Sequence, residues 1–415
     1  YTAEQYASVA ERLYGVVFGV AAQIVEEGVC SMEDVDRGAK VGLRWARGPF
    51  EMMNRVGIKE AHSMASAYAQ LSAESDPEQA WKVPMFFTDQ ANAGKAWDFS
   101  YVDTAIENGV ATLTINRPEA MNALNETVVN QLSAALDVVN ADASVHTIVL
   151  DGAGKAFVAG ADVKFFVDKI RADAIPDIVT FTANGHVMLN KLESSSKTTI
   201  ALTTGLALGG GLELALACDY RIGTRRTQFR FPETSIGIYP GLGGSQRPAR
   251  ICGIPVARWS VLAGNFMDAQ TGHDLGLLTH LVDVAAVDGC VAQLASTGKP
   301  GDKYPGRPAN QESKIVQFAS AFFSDENMPA IMNGACPEGF DAEDKTVARQ
   351  LKSLSRAAPI ALSMASGLID STASTSLAVG LQMELDQLTD IFSTKDSLEG
   401  LSALIEGRKP TYTNA

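Results

Sequence analysis

One stretch constrains the fold more than any other: Gly205 to Gly244, GLALGGGLELALACDYRIGTRRTQFRFPETSIGIYPGLGG. A β-rich run, Thr198 to Thr203, feeds Gly209, Gly210 and Gly211, and these glycines open an apolar segment, Leu212 to Cys218. Its length and composition predict a short buried helix. That segment holds one charged residue, Glu213. The helix N-terminal dipole favours a carboxylate in the first turn, yet burial strips it of water. A second acid, Glu233, follows Pro232, between Phe231 and an apolar run with glycines. A helix-capping acid is the plain alternative for Glu213. The surrounding glycines point further, because they allow close backbone approach and leave N–H groups free at a helix N-terminus, where an oxyanion can be held. Upstream, KAFVAGADVK at Lys155 to Lys164 offers a second such turn.

Together with INRPEAMNALN at Ile115 to Asn125, these segments resemble the enoyl-CoA hydratase/isomerase (crotonase) superfamily in order and spacing. SRAAPIALSMA, GLQMEL and FSTKDSLEGLSALIEGRKPTY, between Arg356 and Tyr412, resemble its C-terminal helices. The fold implied is α/β, a crotonase-like spiral of ββα units with C-terminal helices. The activity implied is hydration of a trans-2-enoyl-CoA, such as crotonyl-CoA, to a 3-hydroxyacyl-CoA. Three roles are needed: holding the carbonyl oxygen as charge builds, deprotonating water near C3, and protonating C2. By resemblance, Ala161 and Gly210 supply the oxyanion-hole N–H groups, and Glu213 and Glu233 share the water as general base and acid. Gly241 helps to hold that water. Ala159, Gly160, Asp162, Val163, Lys164 and Gly209 meet the coenzyme A thioester. A solvated surface turn remains the alternative for Asp162 and Lys164, as a solvated C-terminal face does for Arg408 and Lys409 against a CoA phosphate. The competing functions are an enoyl-CoA isomerase, which typically keeps one acid, and a non-catalytic CoA-binding subunit, which needs neither.

The opening residues to about Ala93 read as helical, with Leu13, Val16, Val17, Val20 and Ile24 on one face and a second helix capped at Ser31. RLYGVVFGVAAQIVEEGVCSMEDVDRGAKVGLRWARGPFEMMNRVGI resembles the C-terminal helical domain of 3-hydroxyacyl-CoA dehydrogenases. Glu11 stands where that family has an asparagine before Arg-Leu, which implies a non-catalytic copy. No Gly-rich turn follows a strand here, so the chain as given has no nicotinamide site; NAD is expected only for a dehydrogenase domain upstream of Tyr1. The expected organisation is a helical domain over 1–95, a spiral core over 98–296, an insertion over 297–345 and a C-terminal helical region over 346–415. Ser72 to Asp98 reads as a linker, and the insertion carries a helix with Ile315, Phe318 and Phe322 on one face.

A net charge of −14 disfavours nucleic-acid and anionic-membrane partners. No uninterrupted apolar run reaches membrane-spanning length. The 5 cysteines form no CxxC, which suggests neither a disulfide framework nor zinc, and a cytoplasmic setting. No metal is expected. None of the 5 histidines falls in a site motif, and all read as structural. Leu381, Leu385, Leu388, Ile391 and Phe392 form an apolar face without an obvious partner, which predicts association, and the resemblance to the crotonase superfamily implies a homotrimer or hexamer.

Overall fold

Thr2 caps the first helix, α1 (Ala3–Glu26), its side chain accepting the Gln5 N–H while the Gln5 side chain accepts the Thr2 N–H. The computed structural model describes residues 2–78, 80–301, 303–304 and 309–415, in two units, Tyr1–Ser100 and Tyr101–Ala415. In the first unit α1 is followed by α2 (Met32–Arg37), α3 (Pro49–Val56), α4 (Ile58–Ser75) and α5 (Met85–Ala93). The face that α1 buries differs from the expected one. Leu13 and Val20 stay 62% and 44% exposed, while Phe18, Ala21 and Ala22 enter the core with Phe50, Met53 and Phe87. The cause is backbone proximity: a Cβ at Gly15 would stand 2.4 Å from the Met64 carbonyl oxygen, and one at Gly19 2.2 Å from the Trp81 ring. The helix packs through its smallest residues, which a search for large aliphatic residues passes over.

One further expectation changes. The Ser72 to Asp98 stretch is not a linker over its described length, Gln79 lying outside the described residues. It contains α5, and buried Trp97 exchanges two hydrogen bonds with the Asn54 side chain, at 2.7 and 2.9 Å. One segment, Gln5–Glu26, is long and apolar enough to cross a membrane by length and composition, although Glu11 and Arg12 interrupt it.

The second unit opens with β1 (Val102–Glu107) and β2 (Val110–Ile115), an antiparallel hairpin whose Asn108 and Gly109 have φ of 50° and 78°, the conformation a two-residue turn demands. After it the chain repeats one pattern: a strand in each of two sheets, then a helical return. One sheet has the order β1-β2-β3-β5-β7-β10, built with β3 (Thr147–Gly152), β5 (Thr198–Thr203), β7 (Tyr220–Gly223) and β10 (His280–Leu281). The other has the order β4-β6-β8-β9, from β4 (Ala156–Ala159), β6 (Leu206–Leu208), β8 (Gln228–Arg230) and β9 (Met267–Asp268). All pairs except β1/β2 and β8/β9 are parallel, so each step needs a crossover. These returns include α6 (Glu126–Ala141), α7 (Val163–Arg171), α8 (Ile175–Glu193) and α9 (Gly210–Leu216). This is the spiral of ββα units expected.

Toward the C-terminus the expected oligomer face is already covered within the chain. Leu381, Leu388, Ile391 and Phe392 are buried and Leu385 is half-buried; Phe392 stacks on Phe166 of α7 with ring centroids 5.2 Å apart. These side chains roof the spiral's own core, so they give no motive for association. Between 297 and 345, Asp302 and residues 305–308 lie outside the described residues. The helix Lys314–Phe322 buries Val316, Ala319 and Phe322, leaving Ile315 and Phe318 half-buried, a rotation from the expected face. Tyr304 donates to Glu193 Oε1 at 2.5 Å, which ties this segment to the end of α8.

Candidate active site

The position of α9 follows from its glycines. Gly209 has φ 48° and ψ −121°, a conformation only glycine adopts freely, and it turns the chain from β6 into the helix. Gly210 is the first helical residue, so its N–H has no partner inside the helix and points outward from the N-terminus. Every residue of α9 is buried, Glu213 included at 2% exposure. Its Oε1 accepts two N–H groups, from Leu242 at 2.7 Å and Gly244 at 2.6 Å. Both amides belong to the glycine loop after Pro240, and Gly244 must lack a side chain because a Cβ would sit 2.7 Å from that same oxygen. Glu233 opens a single helical turn, Glu233–Ile236, and is 7% exposed. Its Oε2 is buried with no hydrogen-bond partner.

The two acids therefore have unlike surroundings. Burial pushes Glu213 up to about 7, opposed first by the amides of Leu242 and Gly244 and then by the Arg247 guanidinium. Glu233 is raised well above the carboxylate range, by burial first and then by the negative charge of Glu213. The arrangement favours an ionised Glu213, whose Oε1 is fully used as an acceptor, beside a protonated Glu233.

Both acids line one cavity of about 240 Å³, with Ala159, Gly160, Ala161, Val163, Gly209, Gly210 and Gly241. The rest of its wall is mainly apolar, including Phe166, Phe181, Leu242 and Phe392, with Thr182, Arg230 and Tyr239 as polar members. The structure thus gathers nine of the eleven residues singled out in the sequence. Asp162 and Lys164 are not among them. The Asp162 carboxylate is 3.2 Å from Arg117, and Lys164, exposed, pairs with Asp168 one helical turn on. In this turn Ala159, Gly160, Ala161 and Val163 line the cavity, and the two charged residues do not. Arg408 is likewise engaged elsewhere, by both oxygens of Glu399 at 2.6 and 2.8 Å.

A family model for enoyl-CoA hydratase/isomerase matches residues 110–415. The chain belongs to the enoyl-CoA hydratase/isomerase family. Residues 9–96 match the model of the 3-hydroxyacyl-CoA dehydrogenase C-terminal domain. Among relatives, a probable enoyl-CoA hydratase of Rhizobium meliloti is 31% identical over 308 residues, 73% of this chain and 94% of that protein. A crotonyl-CoA hydratase of Syntrophomonas wolfei is 29% identical over 307 residues, 74% and 95% of the two chains. A solved enoyl-CoA hydratase structure from Rhodobacter sphaeroides aligns with TM-score 0.65 at 24% identity, covering 75% of this chain and 92% of that one, which speaks for the fold.

Family membership makes the residues around the acids informative. His186, read from sequence as structural, is buried on α8 and donates from Nε2 to the Gly241 carbonyl at 2.7 Å. Burial lowers it to about 4, so the ring is neutral and that donor is its N–H. Arg247 is fully buried, bonding the Leu242 carbonyl and Glu193 Oε2 at 2.8 Å each. Glu384, which sequence reasoning missed, is fully buried behind the glycine loop. Its helix, Leu377–Asp386, also carries Asp386, so residue type alone does not mark Glu384 as the buried acid. Among the described residues no cluster of histidine, cysteine and carboxylate side chains suits a metal ion.

Proposed function

We propose that residues 101–415 form a 2-enoyl-CoA hydratase, adding water across the double bond of a trans-2-enoyl-CoA such as crotonyl-CoA. The observation that carries this reading is the pair of buried acids in unlike surroundings on one cavity, beside a glycine-built helix N-terminus. The printed names of the relatives support it. The thioester carbonyl oxygen takes the N–H groups of Ala161 and Gly210, so the enolate charge that develops there is held without reorganisation. Water sits between the acids, also within reach of the Gly241 amide. Glu213 Oε2 removes its proton, the hydroxide oxygen bonds to C3, and Glu233 delivers a proton to C2. The coenzyme A moiety lies along the Ala159 to Val163 backbone. Decay of crotonyl-CoA absorbance on adding the protein tests the reading, and no decay with intact fold would overturn it. An isomerase needs one such acid; burying two on one cavity favours hydration.

The pH profile follows from the two environments. The base must be ionised and the acid protonated. Hydration is expected to rise with pH through about 7, where Glu213 loses its proton, and to fall again at higher pH as Glu233 does. A rate that instead increased as the pH dropped below about 7 would reverse the two roles.

The match of residues 9–96 supports a partnership of this hydratase with an NAD-dependent 3-hydroxyacyl-CoA dehydrogenase in one polypeptide. We assign the dinucleotide to a domain outside residues 1–415, since the first unit's described residues form helices and no parallel strand crevice. This chain alone is expected to produce no NADH from 3-hydroxybutyryl-CoA; NADH formation above a no-protein control would overturn the assignment. Five free cysteines, two of them buried, support a reducing compartment such as the cytoplasm.

A further inference from the structure

The glycine loop after Pro240 is held from two sides. The N–H groups of Leu242 and Gly244 go to Glu213, at 2.7 and 2.6 Å. Those of Gly243 and Ser245 go the opposite way, to Glu384 Oε2 at 2.7 Å and Glu384 Oε1 at 3.1 Å, and the Ser245 hydroxyl adds a third bond to Oε1 at 2.5 Å. Four consecutive amides thus alternate between two buried carboxylates, in the manner of a strand whose two neighbours have each been reduced to one side chain. The loop's carbonyls are fixed as well, Gly241 by His186 and Leu242 by Arg247. Tyr239 just before the loop donates to the Glu384 main-chain carbonyl at 2.5 Å, which anchors the helix Leu377–Asp386 against it. Nothing in the mechanism above uses Glu384, and it does not line the cavity. A carboxylate with no exposure is retained at a cost unless its bonds do something no apolar residue could.

Resting on the hydratase reading, we propose that Glu384 is a positioning residue: by holding the Gly243 and Ser245 N–H groups it keeps the alternate ones, of Leu242 and Gly244, on Glu213. The groups facing it are Glu213 on α9, Arg247 and Arg250 beyond the loop, the neutral His186 ring 3.8 Å away on α8, and the Ser245 and Tyr239 hydroxyls. Burial pushes Glu384 up to about 8, with repulsion from Glu213 second and the Ser245, Arg247 and Gly243 contacts opposing. Glu384 therefore titrates above Glu213, and what reaches the base is its hold on the loop rather than its charge. Glu384→Gln keeps the shape and turns one acceptor into an N–H₂ group facing a donor.

The test is the pH dependence of crotonyl-CoA hydration by wild type, Glu384→Gln and Ser245→Ala, with circular dichroism to verify folding. Glu384→Gln is expected to lower kcat on the order of 10-fold to 100-fold, with KM held within about 2-fold, because the base is misplaced while the thioester's own contacts remain. Its acidic limb should move to higher pH, because the Leu242 and Gly244 N–H groups that hold Glu213 down are loosened. Ser245→Ala, which removes one of the three bonds between Glu384 and the loop, should shift the limb in the same direction by less, and it decides the matter should Glu384→Gln fail to fold. A purely structural Glu384 would reduce kcat and leave the limb in place, which overturns the proposal. Infrared titration of the Glu213 carboxyl, identified by subtraction of Glu213→Gln, needs no substrate. A wild type that hydrates nothing would therefore defeat the hydratase reading, while an unmoved Glu213 titration in Glu384→Gln would defeat this one.

Discussion

Glu213→Gln is expected to lower kcat for crotonyl-CoA hydration by about 10² to 10⁴-fold, and Glu233→Gln to do the same, because each removes one proton-transfer group from the transition state. The architecture makes these clean substitutions. In Glu213→Gln the amide oxygen can still accept the Leu242 and Gly244 N–H groups, so the glycine loop keeps its anchor, while the position of Oε2 becomes an N–H₂ that cannot take a proton from water. Glu233 is held protonated by burial and by the charge of Glu213, so a neutral glutamine replaces a neutral acid there, and what disappears is the proton that C2 needs. Affinity for a saturated acyl-CoA, which cannot react, should stay within a few-fold, as the oxyanion-hole amides and apolar walls are untouched. The double variant should be little worse than either single one, since the two groups act on one water. Near-normal turnover in either single variant would end the two-acid mechanism.

Why these two acids could be found in the sequence, and Glu384 could not, is a matter of chain distance. Glu213 and Glu233 lie in one continuous stretch whose glycines are forced by contacts only a backbone could make, so residue type and spacing carry the geometry. Glu384 reaches the same loop from 139 residues away along the chain, and no local pattern places it there. His186 illustrates the same limit: its motif is unremarkable, yet α8 brings its ring to Gly241. Asp162 and Lys164 stand in the same turn as the lining residues but outside the cavity, Asp162 beside Arg117 and Lys164 beside Asp168, pairings that residue spacing does not show. The spiral itself was legible through strands alternating with helices. The apolar C-terminal face was legible as apolar but not as internal, because burial against Phe166 depends on where the last helices return. In α1 the informative residues were Gly15 and Gly19, whose absence of a side chain sets the packing that Leu13 and Val20 suggested wrongly.

Gly209→Ala is expected to cut kcat on the order of 10²-fold, comparable to a displacement of about 1 Å at a reacting group. Two effects coincide at this residue. Its φ of 48° with ψ of −121° is closed to residues with a Cβ, at a cost of about 1 to 3 kcal/mol. A Cβ built there would also stand 2.2 Å from Glu233 Oε1 and 3.2 Å from its Cδ, so the proton donor has to move. The glycine and the acid are partners, one shaped by the place the other occupies. Gly253→Ala separates the two effects, because Gly253 also has a positive φ, 87°, but a Cβ there meets nothing within 4 Å and the residue is outside the cavity. Both variants should lose thermal stability to strain, while only Gly209→Ala should lose turnover beyond that loss. Its rate should fall in kcat, and the high-pH limb governed by Glu233 should move as the acid is displaced from its present burial beside Glu213 and Arg230. Equal activity in the two variants, each measured well below its melting temperature, would show that Gly209 does not set the place of Glu233.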